Sequence, residues 1–390
     1  TLWLQPLTSS LNKAGQARYR TLVGHTSAIN SLAVSKDGVL LFSAGSGSDR
    51  TVRVWDVQSG SEVSHFQVSS NISTLAMTPD GSFVLLGLMD GSIQVIDWQT
   101  HKLVATLTGH TRDVNAICCQ HNSPYCVSAS ADGTLIVWNL DKLKKHRVLK
   151  GHSGAVNDVV FSPQGSLAIS ASSDNTLRVW DIQRGRRLGV MQSKWPQFSL
   201  AISPDGRTLV SGSNMVPILW DLETMTEKVI LTSYYGPYHE VSVRAVAITP
   251  DGRQIISAGN LIRVWEMKAE YPYSGSLTTW ATESGVTDVV ITPNGRWAIS
   301  SYFDHTIKIW NLSDPENETV KTSSTATGDP VKWIGFDSNN EVINLKIKYH
   351  RDEFGEDSEW LSTLDLPEKY LDWNYRTKAI VQSHDKGTLW

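Results

Sequence analysis

Seven segments of this chain close in the same way. Arg53-Val54-Trp55-Asp56, Arg178-Val179-Trp180-Asp181, Ile218-Leu219-Trp220-Asp221 and Lys308-Ile309-Trp310-Asn311 share apolar residues, a tryptophan and an Asp or Asn. Val137-Trp138-Asn139 and Val264-Trp265-Glu266 belong to the same set, and Val95-Ile96-Asp97 carries Ile in the Trp place. Successive members stand 41, 42, 42, 40, 45 and 45 residues apart. A period of about 40–45 residues, with Gly-His upstream and Trp-Asp downstream, is the length of a four-stranded sheet that must bury its faces against its neighbours.

The interior of each period agrees. Gly151-His152 precedes an alternating run from Val156 to Phe161, the turn Pro163-Gln164-Gly165, then Leu167 to Ser170, a tight turn around Asp174, and Thr176 to Trp180. Runs of four to six residues rich in Val, Ile, Leu and Thr, bounded by Pro-Asp-Gly-type turns, are strands rather than helices. The turns recur as Lys36-Asp37-Gly38, Pro79-Asp80-Gly81, Pro204-Asp205-Gly206, Pro250-Asp251-Gly252 and Pro293-Asn294-Gly295. No segment of ten or more residues has helical amphipathicity, so the fold class is all-β.

On these marks, residues 18 to 340 resemble the WD-repeat (Trp-Asp repeat) β-propeller family. The resemblance implies that a His, a Ser or Thr, an Asp and a Trp of one blade form a buried hydrogen-bonded tetrad. Carried onto this sequence, it is complete in two blades, His110, Ser128, Asp132 and Trp138, and His152, Ser170, Asp174 and Trp180. In the first blade His25, Asp49 and Trp55 fit, with Ser43 as fourth member although its turn carries two extra residues. His239, Ser257 and Trp265 form a set without an Asp. Ser300, Asp304 and Trp310 form one with Thr282 in the His place. The blades ending at Ile96 and Trp220 have no His, and apolar packing must hold them.

Beyond Trp310 the pattern fades. Val331 to Phe336 and Glu341 to Lys348 read as two strands of an eighth blade, and a charged hairpin, His350 to Glu359, leads to a third strand, Trp360 to Leu366. Arg18 to Leu22 stands where an outer strand of the preceding blade belongs, and a closed ring leaves no open end. The expected arrangement is a lead-in segment over 1–17, an eight-bladed propeller over 18–366 whose N-terminal strand closes the eighth blade, and a C-terminal hairpin over 367–390. Seven blades with a C-terminal extension is the alternative.

Lys+Arg 35 against Asp+Glu 39 gives a net charge of −4. A nucleic-acid or anionic-membrane partner needs basic charge gathered in one place. The densest basic run, Lys142 to Arg147, reads as a short surface loop, so neither partner is expected. No apolar stretch approaches the roughly 18 residues of a membrane span, and no charged-then-apolar leader opens the sequence. Three cysteines make no disulfide scaffold, so a reducing, cytoplasmic setting is expected. Cys118, Cys119, His121 and Cys126 lack zinc spacing, and adjacent strand residues point to opposite faces, so no metal is assigned. The carboxylates Asp352, Glu353, Glu356, Asp357 and Glu359 read as a solvated hairpin tip, and no cofactor motif is present.

A Ser, a His and an Asp side by side invite a hydrolase reading. Repetition argues against it, because an enzyme has no use for parallel triads inside separate blades. An enzyme on this frame would converge His and carboxylates in the central channel, and no such convergence is visible. What remains is surface. Lys194-Trp195-Pro196-Gln197-Phe198 and Tyr234-Tyr235-Gly236-Pro237-Tyr238 are aromatic loops entering adjacent blades, and Phe303 lies on a nearby turn of the same face. Trp195, Phe198, Tyr234, Tyr235, Tyr238 and Phe303 either cap irregular blades or anchor a protein or peptide partner, with Arg112 and Arg244 supplying polar contacts at the rim. The opening Leu2-Trp3-Leu4-Gln5-Pro6-Leu7-Thr8, before Gly24-His25, resembles the junction that precedes propellers in bacterial multidomain proteins. There an upstream NTPase of the NACHT or NB-ARC signalling type, or another effector domain, is joined to a propeller sensor. With Thr1 as first residue, the expectation is an excised, monomeric, non-catalytic recognition propeller; a constitutive assembly scaffold is the alternative.

Overall fold

The computed structural model describes residues 18–121, 123–231, 242–267, 278–282 and 284–312, together with six short strands between 331 and 389. The chain divides into two units, Thr1–Glu318 and Thr319–Trp390. In the first unit every described strand belongs to one of seven four-stranded antiparallel sheets. Blade 1 comprises Ile29–Val34, Leu40–Gly45, Thr51–Asp56 and Glu62–Gln67, and blade 2 Ile72–Met77, Phe83–Leu88, Ile93–Asp97 and Lys102–Leu107. Blade 3 runs through Val114–Cys119, Tyr125–Ser130, Thr134–Asn139 and Lys144–Lys150, and blade 4 through Val156–Phe161, Leu167–Ser172, Thr176–Asp181 and Arg186–Gln192. Blade 5 is Gln197–Ile202, Thr208–Ser213, Ile218–Asp221 and Thr226–Ile230, and blade 6 Ala245–Ile248, Gln254–Ala258, Leu261–Glu266 and Thr278–Ala281.

Blade 7 supplies three strands of its own, Val286–Ile291, Trp297–Tyr302 and Thr306–Asn311, and its fourth is the N-terminal strand Arg18–Val23. Leu22 lies opposite Ile307 and Thr21 opposite Lys308. The expectation of eight blades is therefore corrected to seven. The N-terminal strand does close the ring, but on blade 7. The physical reason is that, among the described residues, blade 7 has no outer strand of its own next to Thr306–Asn311, and its open ladder edge is satisfied by Arg18–Val23.

The Pro-Asp-Gly turns hold the hairpins by a local device. In blade 5 Asp205 Oδ1 accepts the Arg207 N–H at 3.0 Å and the Ser203 hydroxyl at 2.5 Å, while Gly206 adopts φ +73°, a left-handed conformation costly for a side chain. The core is divided into seven apolar clusters, one per junction between successive blades. The closing cluster joins Leu22, Ile299, Ile307 and Ile309 of blade 7 to Ile29, Leu32, Leu41 and Trp55 of blade 1. Inner strands are also tied to each other. The Asn30, Asn115 and Asn157 amides donate to Ile72, Val156 and Gln197 carbonyls at 2.9, 2.9 and 2.7 Å, each reaching the next blade from a bulge. Asp158 accepts the Leu200 N–H at 2.6 Å, and Asp288 accepts the Leu32 N–H at 2.8 Å across the closing junction.

In the second unit, Val331–Phe336 pairs with Val342–Ile347, His350–Arg351 with Asp357–Ser358, and Val381–Gln382 with Thr388–Leu389. Among the described residues these are two-stranded hairpins, and none is a four-stranded blade. The third strand expected over 360–366 lies outside the described residues. Two further readings need correction. Lys144–Lys150 is a regular outer strand, so the basic run Lys142 to Arg147 is largely strand rather than loop. Cys119 and Cys126 form a disulfide, because the register of blade 3 sets them directly opposite each other with Cα atoms 4.1 Å apart, leaving Cys118 free. Among the described residues no helix is long and apolar enough to cross a membrane.

Candidate functional site

Three blades carry a complete tetrad. In blade 4, His152 Nδ1 lies 2.8 Å from Asp174 Oδ2, His152 Nε2 lies 2.7 Å from Ser170 Oγ, and the Trp180 indole N–H donates to Ser170 Oγ at 2.9 Å. Blade 3 repeats this with His110, Asp132, Ser128 and Trp138 at 3.0, 2.7 and 2.8 Å. In blade 1, His25, Asp49, Ser43 and Trp55 give 3.1, 2.7 and 2.9 Å, so the two extra turn residues leave the network intact. The carboxylate can only accept, so it selects the Nδ1–H tautomer. Nε2 then accepts from the serine hydroxyl, which accepts the indole N–H, and no polar atom is left over.

Burial pushes the His25, His110 and His152 imidazoles below their ordinary pKa against the pull of their aspartates. For Asp174, burial acts upward, but hydrogen bonds from Thr176, His152 and the Ser153 N–H outweigh it and bring the carboxyl down to about 2. Asp49 is carried to about 2 in the same way, chiefly through Thr51 and the Thr26 N–H, and Asp132 is also lowered. Each unit is thus a neutral imidazole held by a carboxylate, as a nucleophilic serine requires. However, Ser43, Ser128 and Ser170 are completely buried, and their hydroxyls are already engaged with an indole, so no substrate can reach them. Each tetrad ties together a loop, two strands and a turn of its own blade.

The remaining blades satisfy or remove the same indole by other means. Trp220 and Trp265 donate to Ser211 and Ser257, each at 2.8 Å. His239 lies outside the described residues. In blade 7 Trp310 donates to Ser300 at 2.7 Å, and Ser300 donates to the hydroxyl of fully buried Tyr302 at 2.8 Å. Tyr302 thus takes the histidine's place, a substitution the sequence reading missed because the residue comes from the second strand rather than from a Gly-His loop. Among the described residues Asp304 serves its own turn, accepting the Thr306 N–H and hydroxyl at 3.1 and 2.6 Å. Blade 2 has buried Leu86 and Ile96 where the others have serine and tryptophan, and so needs no network at all.

The aromatic loop residues separate into two kinds. Trp195 is half-buried and packs against the cluster between blades 4 and 5. Phe198 is half-buried at the inner-strand bulge where blades 1, 3 and 4 have asparagine. Phe303 keeps 44% of its surface exposed, with its backbone N–H on the Gly285 carbonyl at 3.1 Å and the Arg244 guanidinium 5.2 Å from its ring centre. A Cβ on Gly285 would stand 3.2 Å from the ring, so the glycine makes the seat. Arg112 is exposed on the loop before blade 3. Tyr234, Tyr235 and Tyr238 lie outside the described residues. Among the described residues no group of three or more His, Cys, Asp or Glu side chains is placed to hold a metal ion.

Comparison with known proteins agrees with this geometry. The chain is 31% identical over 135 residues to autophagy-related protein 16 of Arabidopsis thaliana, covering 34% of this chain and 25% of that protein. It is 28% identical over 130 residues to the COMPASS component SWD3 of Saccharomyces cerevisiae, covering 30% and 40%. The match thus spans well under half the length of these eukaryotic relatives. The solved structure of U3-55K superposes with a TM-score of 0.69 at 20% identity, covering 76% of this chain and all of that one, which speaks to the fold alone. The repeat profile described as WD domain, G-beta repeat matches residues 16–56, 101–139, 143–181, 192–221, 230–266 and 274–311, passing over the blade that has neither indole nor network. With that profile covering more than half of its length, the chain belongs to the WD40 repeat family.

Proposed function

We propose that this propeller is a non-catalytic protein-binding module that holds a protein or peptide partner on the loop face of blades 5 to 7. The observation that carries this reading is Phe303, a large aromatic ring left substantially exposed yet fixed from beneath by Gly285 and from the side by Arg244. An aromatic side chain that is immobilised before binding loses little entropy on docking, and such residues dominate interface energies. The complete tetrads of blades 1, 3 and 4 supply a stiff frame behind it. In the finer form of the proposal, the propeller is the recognition part of a larger signalling polypeptide with an effector or NTPase domain upstream. A constitutive scaffold is favoured instead by the names of some relatives, among them a COMPASS component and a probable coatomer subunit β′.

The test compares Phe303→Ala and Arg244→Ala with the parent chain in quantitative affinity purification followed by mass spectrometry. Partner recovery should fall at least tenfold with no change in melting temperature. Undiminished recovery in both variants would remove the loop face of blades 6 and 7 from the binding surface.

A further inference from the structure

Net acidity hides a segregated basic wall. Among the described residues the outer strands of blades 3 and 4 are sheet edges, each hydrogen-bonded on one side only. They present the same cation pair at the same register: Lys144 and Lys145 stand opposite Asn139 and Trp138, and Arg186 and Arg187 opposite Asp181 and Trp180. All four are exposed. Arg147 ties the two edges together by donating from Nη1 to the Arg184 carbonyl at 2.6 Å, and it lies so close to Gly185 that a Cβ there would stand 2.1 Å from its Cδ. The outer strands of blades 1 and 2, Glu62–Gln67 and Lys102–Leu107, hold one lysine between them, and among the described residues only blade 7, through Arg18 and Arg20 of Arg18–Val23, brings another pair of cations to an outer strand.

We propose that this wall binds an acidic peptide in extended form, added as a strand to an open edge. Three features point to that occupant. Open edges offer rows of unpaired N–H and C=O groups, and main-chain pairing with an added strand is a general mode of peptide capture. Cations facing a docked strand repel a basic strand or a second copy of this edge, and they attract carboxylates placed opposite. Lastly, the exposed side chains Val148, Leu188 and Val190, at 37%, 42% and 40%, lie among the cations. A peptide carrying both acidic and aliphatic residues matches both kinds, whereas a nucleic acid would leave the aliphatic ones facing its phosphates. This surface lies on the outer edges rather than the loop face, and it stands independently of the partner site proposed above.

The experiment uses fluorescence anisotropy on the full 390-residue chain with a labelled twelve-residue peptide of alternating Glu and Val. Binding should be saturable, weaken severalfold between 50 and 300 mM NaCl, and fall at least tenfold in the charge-reversal variant Lys145→Glu/Arg187→Glu, whose melting temperature should match the parent's. A Gln-for-Glu peptide and a backbone N-methylated acidic peptide should both fail to bind. Undiminished binding by the charge-reversed chain overturns the site, and equal binding of the N-methylated peptide overturns strand addition. Tighter binding of an oligothymidylate of the same length overturns the choice of a peptide.

Discussion

Blades 4 and 7 are built on the same strand plan around the same tryptophan, yet they complete its hydrogen bond differently. Blade 4 uses a three-partner relay from Trp180 through Ser170 and His152 to Asp174, drawing residues from a loop, two strands and a turn. Blade 7 achieves closure within two strands, with Tyr302 folding back on Ser300 beside Trp310. Blade 2 dispenses with the polar chain altogether. The fold does not demand a histidine; it demands that a buried indole N–H be either satisfied or absent. What blade 4 gains from the long relay is a clamp on its entering loop, since Asp174 also accepts the Ser153 N–H at 3.0 Å. Among the described residues Asp304 of blade 7 forms no such clamp, and this blade's loop face is where the Phe303 ring remains exposed.

The sharpest way to break the contrast is at the serine. Ser170→Ala leaves both an imidazole and an indole unpaired and should cost about 2–4 kcal/mol in urea unfolding. Leu86→Ser, which puts a hydroxyl into the apolar version of the same position, should cost about 2–3 kcal/mol, because burial is lost and the new group has no designed partner. Tyr302→Phe removes one hydroxyl and keeps the ring, so about 1 kcal/mol is expected. If instead Tyr302→Phe proved as damaging as Ser170→Ala, the two networks would not be equivalents.

Acid and base should pull the blades apart in opposite directions. Asp174 titrates lower in the folded chain than its ordinary 3.8, so its contribution is present above pH 4 and is lost as pH falls toward 2. The lowered tetrad histidines act in the same sense, their contribution being complete above 6.5 and eroding as pH falls below it. Asp158 is opposite. Burial raises it to about 7 despite its backbone hydrogen bonds, so what it contributes is complete below about 4 and is lost as pH rises through 7. In urea midpoints measured from pH 3 to 9, Asp158→Asn should remove a loss of stability that falls between about pH 4 and 7, and Asp174→Asn should flatten the most acidic part of the acid limb. The smallest effect is chemical: titration of the denatured, unreduced chain should find one thiol, Cys118, and three after reduction.

Much of this was readable in the order of residues. The Gly-His and Trp-Asp marks located the strands of blades 1, 3 and 4, since each mark reports a buried group whose partner must sit at a fixed offset. Blade number was harder. Val331–Phe336 and Val342–Ile347 are strands, as their alternation suggests, but alternation does not say which sheet a strand joins. A clue was present: in blades 1 to 5 a strand resumes soon after the Trp-Asp mark, whereas Asn311 is followed by Leu312-Ser313-Asp314-Pro315-Glu316-Asn317. Blade 7 therefore needed a donated strand, and Arg18–Val23 was the one without a sheet. Tyr302 escaped because nothing local distinguishes a tyrosine that turns inward from one that faces solvent. The basic wall escaped because its two halves, about forty residues apart, meet only when adjacent blades set their outer edges side by side.

The pairing of Arg18–Val23 with Thr306–Asn311 also fixes a timetable. The earliest of these strands to leave a ribosome cannot find its place until almost three hundred further residues have followed. At roughly 5–20 residues per second that is an interval on the order of 15–60 s. Throughout it, six finished blades could stack while the ring stays unlatched, with one ladder bare at each end of the gap. Biogenesis, more than the marginal energetics of any single blade, is where this architecture is most vulnerable to misassembly.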